Sequence, residues 1–321
     1  MTGTRARRGK VSVGVLLGLW LVGGTGWAAD SVAVLTELRV GSGEVRVRRS
    51  GESDWSVAQP LLALRPGDQI QATGPAQAVV VFVGGDVQTV SAGNSPLAIQ
   101  PPRGRTGAQS AQVLLGGVIQ FLLGQQREAR FEPLSVRGPA LTPRIVSPRE
   151  TRLFAGPVTF EWTGPAALRY AVKVTGPQGV VWEQGNLPRQ PVPYPASATP
   201  LRPGTRYTWA LIAPGQPTQE AKFEILSPAD ADRIRAALDD MSRNATLTAY
   251  PATTAAVMRV GLLLREELYA DARRALLDGI VAEPGAATYQ QLLGYVYERT
   301  GLDDLAVLAY EEAGRLSSPK P

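Results

Sequence analysis

Carboxylates are the only side chains in this chain with the chemistry and the abundance for proton transfer. The 321 residues include no histidine and no cysteine. That excludes Ser-His-Asp and Cys-His nucleophilic catalysis, the common zinc sites, histidine or thiolate haem ligation, and disulfides. Adjacent acid pairs occur at Asp239-Asp240, Glu266-Glu267, Asp303-Asp304 and Glu311-Glu312. Glycosidase-type chemistry needs two carboxyl groups facing each other across a cleft, whereas neighbours on a helix point about 100° apart. The pairs therefore read as solvated helix surface. Asp68 and Asp86 each follow glycine in a turn and read as turn formers. Lysine stands only at 10, 173, 222 and 320, in no Schiff-base setting. No phosphate-binding glycine loop, nucleophile elbow or metal-ligand cluster is present in the sequence. The residue types point to binding, with no catalytic residue, no cofactor and no metal expected.

What positions these residues starts with an export signal. Arg5, Arg7, Arg8 and Lys10 form a basic front, and residues 11–29 carry no charge. Gly26 and Ala28 supply a small-x-small exit. Residues 1–29 are expected to be a signal peptide that sends the remainder to the periplasm or cell envelope. The alternative is an uncleaved inner-membrane anchor, since a spanning helix needs roughly 20 apolar residues. The signal carries four of the cations behind the net charge of +5, leaving +1, so the high isoelectric point does not indicate a nucleic-acid partner. Residues 30–227 are net +5 and 228–321 net −4. Arg46, Arg48, Arg49, Arg103 and Arg105 read as a solvated face rather than an anion-binding patch.

Residues 30–140 read as all-β, with short apolar runs broken by Gly, Pro and Asp. Val45-Arg46-Val47-Arg48 alternates as a half-exposed strand. A Pro66-Gly67-Asp68 turn, a run at 78–83, a Gly84-Gly85-Asp86 turn and Val87-Gln88-Thr89-Val90 follow. The nine-residue apolar stretch 116–124 is expected to be a buried strand. The order Gly43-x-Val45-x-Val47, Trp55, Leu64-x-x-Gly67-Asp68-x-Ile70 and the 78–90 hairpin resembles the FecR domain. So do Leu115-Gly116-Gly117-Val118 and Ser135-Val136-Arg137-Gly138. The resemblance implies a periplasmic β-module of iron-dicitrate-type sensors. Pro139 stands where that family has threonine, and only ten residues precede the apolar run, so sigma-factor control is not expected to carry over.

Prolines 139, 143 and 148 mark a join. Residues 143–226 read as seven short strands with turns every eight to twelve residues, the pattern of an immunoglobulin-like sandwich. Val158, Phe160 and Trp162 share a face, with Trp162 expected at the core. The stretch from Leu201 to Trp209 resembles the tyrosine corner of fibronectin type III domains, with Tyr207 as its phenol.

From Ser227 the pattern becomes helical. Ser227, Pro228 and Asp230 form an N-terminal cap. Ala272, Leu276, Gly279 and Pro284 recur 34 residues later as Ala306, Tyr310, Ala313 and Ser318, with Leu293-Gly294, Tyr297 and Gly301 in the second unit. These are similar to the small and large positions of a tetratricopeptide repeat. Two units bury too little alone, and the helix near 229–243 is the expected extra layer. The resemblance implies a concave groove for a protein or peptide, with Arg259, Tyr289, Gln290 and Tyr297 as candidate lining.

The expected architecture is multidomain: two all-β modules, FecR-like (30–140) and immunoglobulin-like (143–226), then an all-α tetratricopeptide-like array (228–321). The expected function is a non-enzymatic exported binding or scaffold protein of the cell envelope. A protein or peptide partner would bind the repeats and an envelope ligand the β-modules, with membrane contact only through an uncleaved N-terminal segment. The alternative is a membrane-tethered FecR-like sensor.

Overall fold

The computed structural model describes residues 31–100, 109–125, 142–189, 191–243 and 249–318. The expected signal segment, Arg103, Arg105 and residues 135–138 lie outside them. A β-rich first part of four sheets leads into a C-terminal helical array.

The first two sheets come from β1 (Ala33–Arg39), β2 (Glu44–Arg48), β3 (Ser56–Val57), β4 (Ala63–Leu64), β5 (Gln69–Thr73), β6 (Gln77–Phe82), β7 (Val87–Ser91) and β8 (Leu97–Ala98). Their orders are β4-β1-β6-β7 and β3-β2-β5-β8. Leu35, Leu38, Val45, Val47, Ile70, Val80 and Val90 fill the shared core. Asp68 organises the turn before β5. Its buried carboxylate accepts from Arg49 Nη1 (2.8 Å) and from the backbone N–H groups of Ser50 (2.9 Å) and Arg65 (3.0 Å). Gly67, at φ +89°, supplies the left-handed step.

Strand β1 is buried on both faces. Ala33, Leu35 and Leu38 face the sheet core, and Val34 faces the helices. A bulge between Leu35 and Glu37, opposite Val80 and Val79, breaks the two-residue alternation. Thr36 and Glu37 consequently both reach Thr254 of the helical array.

The second β part has β9 (Arg144–Ser147), β10 (Thr151–Leu153), β11 (Thr159–Thr163), β12 (Tyr170–Gly176), β13 (Gly179–Leu187), β14 (Val192–Pro193), β15 (Thr205–Ile212) and β16 (Gln219–Ile225). They form sheets β10-β16-β15-β12-β13 and β14-β11-β9 around one core. The centre of that core is Trp209, fully buried, with its ring centroid 4.8 Å from that of Phe160. Trp162, expected at the core, is buried in it beside Tyr170 (5.6 Å). Trp209 is fixed by donating its indole N–H to Pro148 O at 2.7 Å, and so satisfies its polar atom. Tyr207 Oη accepts from Arg202 N–H at 2.8 Å, tying the preceding loop to β15.

The apolar stretch 116–124 is helical, contrary to the strand expected of it. It belongs to α1 (Gln109–Gln125). Val118, Ile119, Leu122 and Leu123 are buried while Gln120 is exposed. That spacing covers one side of a helix. A short apolar run does not by itself separate strand from buried helix; here the run continues a 17-residue segment, which is helix length.

The C-terminal array comprises α2 (Pro228–Arg243), α3 (Ala252–Arg265), α4 (Tyr269–Ala282), α5 (Ala287–Arg299) and α6 (Asp303–Ser317). Ser227 Oγ caps α2 by accepting Asp230 N–H at 3.1 Å and donates to the Asp230 carboxylate at 3.0 Å. Small residues set the helix spacing. A methyl group at Gly294 would meet the Tyr310 ring at 2.6 Å, and one at Gly279 the Tyr289 ring at 2.9 Å. Helix α1 packs chiefly on α3, where a methyl group at Gly261 would meet Val118 Cγ1 at 2.7 Å. One apolar core runs through Val34 and Val81 of the first sheet, α1 and the array.

Candidate functional site

The helical array meets the rest of the molecule on two of its sides. Against β1 it forms a polar junction. Thr36 Oγ1 lies 3.1 Å from Thr254 Oγ1, which donates to Glu37 Oε2 at 3.4 Å. Glu37 has 5 % of its side chain exposed and pairs with Arg39 at 2.5 Å; Arg39 also pairs with Glu283. The Thr253 hydroxyl donates to Glu283 and lies within hydrogen-bond reach of Tyr289. Burial pushes the Tyr289 phenol above its ordinary value, and the neighbouring Glu283 and Glu37 act the same way against Thr253 and Arg39. Close by, Tyr250 Oη donates to Gly85 O at 2.5 Å, clamping the β6–β7 turn to the start of α3. Its phenol is pushed up to about 12, by burial first and Asp86 second.

Against the second β part the array is held by backbone and charge. Arg152 N–H donates to Glu267 O (2.9 Å), and Thr151 Oγ1 accepts from Ala270 N–H (3.2 Å). Arg152 pairs with Asp230 (2.9 Å), Arg273 with Glu161 (2.8 Å), and Arg144 with Asp304. Glu266, beneath this seam, is gripped by Arg233 at 2.8 and 3.2 Å and by Arg265 at 3.1 Å. Its carboxyl is held below the usual range, by the Arg233 hydrogen bond first, in spite of burial.

The four residues proposed from the sequence to line one groove do not converge. Tyr289 is only 4 % exposed and sits in the β1 junction. Tyr297 is half-buried against the apolar core, and its carbonyl accepts Leu302 N–H at 2.7 Å. Gln290 is half-buried on α5. Arg259 is exposed on α3, away from the face that carries Thr254 and from the Gly261 face. It stands at the rim of an open groove of about 470 Å³ between α2 and α3, lined by Leu238, Met241, Tyr250, Ala255 and Ala256. Among the described residues, Arg259 makes no ion pair or hydrogen bond and is the only charged residue lining this groove.

Thr36, Glu37 and α1, which meet the array, and Glu283 within it were not among the residues singled out from the sequence. A signal was present: Val32 to Leu38 is a β-prone run without strict alternation, interrupted by adjacent Thr and Glu. Of the arginines read as solvated, Arg46 pairs with Glu44 (2.6 Å), Arg48 stacks on Trp55 (4.9 Å) and Arg49 serves Asp68. Among the described residues no group of three or more acids forms a metal site, and no helix is long and apolar enough to cross a membrane. No protein-family model matches the chain, and a search of the curated proteins finds no match.

Proposed function

We propose that this chain is an exported, non-catalytic binding protein of the bacterial cell envelope. In this reading a FecR-like β-module, an immunoglobulin-like sandwich and tetratricopeptide-like helices form a single scaffold that engages a protein partner. Particular contacts support the module assignments. The Gly67-Asp68 turn is the hub of the first module. The Tyr207–Arg202 bond has the geometry of a tyrosine corner. Gly294 under Tyr310 has the close helix approach that a repeat hairpin needs.

The observation that carries the binding role is the α2–α3 groove, with an apolar floor and one unpaired cation at its edge. An exposed apolar concavity of this kind is a common recognition surface. The array's other side is covered by β1 and α1 of the same chain, so partner contact is assigned to the α2–α3 side. The test is affinity capture from envelope extract with the exported full chain, alongside Arg259→Glu and Ala255→Trp. A partner retained by the wild type and lost with both variants is expected. Equal recovery with the groove filled by tryptophan overturns the assignment.

A further inference from the structure

We draw no further inference here: the strongest candidate, the open apolar groove between α2 and α3 with Arg259 at its rim, belongs to the site already described, and nothing in the structure shows what covers it.

Discussion

Tyr250 and Glu266 show how single polar residues hold separate parts of this molecule together. Tyr250 reaches from the array to a backbone carbonyl of the first module, Gly85 O. Tyr250→Phe removes that hydrogen bond while keeping the ring, and is expected to cost about 1–2 kcal/mol in urea unfolding. The phenol also makes a pH signature. Its folded value of about 12 lies above the ordinary value of about 10, so the folded state keeps a proton that the unfolded state loses. Stability from this group is intact below about pH 10 and declines as the pH rises toward 12. The Phe variant is expected to lack that part of the alkaline slope.

Glu266 works in the opposite direction. Its carboxyl is depressed, first by Arg233, so its contribution is present above the unfolded carboxyl value and is lost as the pH falls through the folded one. Glu266→Gln is expected to lower stability by about 1–2 kcal/mol at neutral pH, since Arg233 is half-exposed and partly screened. The difference from wild type is expected to vanish in acid. Unfolding curves from pH 7 down to 3 check it. At this scale the sequence was partly legible. The Ser227 cap follows from local spacing, and the Tyr207–Arg202 hydrogen bond is what the resemblance of residues 201–209 implied. Glu37 did not, because its role depends on a bulge that turns it toward helices more than two hundred residues away.

Among the elements, α1 is the one whose type was misread. A strand reading suited a β-rich neighbourhood and a short apolar run, but the partner surface of residues 116–124 is a helix that begins at Ala252. The expected extra layer, α2, does pack on the array, and α1 joins it from the other side of the sandwich in sequence. The contact turns on Gly261. Helix propensity alone favours alanine there by about 1 kcal/mol. A methyl group would instead meet Val118 Cγ1 at 2.7 Å and both Leu122 methyls at 3.4 Å, and such overpacking costs about 1–3 kcal/mol. Gly261→Ala is therefore expected to destabilise, whereas Gly314→Ala on α6, with nothing within 4 Å, is expected to stabilise. Thermal melts of the two variants check the contrast in sign. Gly294 and Tyr310 correspond, 34 residues earlier, to Val260 and Leu276, so a smaller large residue accompanies a larger small one.

For the whole molecule, the order of β part and helical array was legible from periodicity, whereas their union was not. Sequence periodicity reports which face of an element is apolar and is silent about which distant element covers it. The doubly buried strands β1 and β6 carry the answer: one face belongs to the sheet core and the other to the array. The central claim is that the first module, α1 and the array fold around one core, with the α2–α3 groove left open. Hydrogen exchange of the full chain, comparing wild type with Gly261→Ala, tests this most directly. The account predicts faster exchange in Ala33–Arg39 and Gln77–Phe82 together with Ala252–Arg265. Faster exchange confined to the helices, with both strands unchanged, would contradict it.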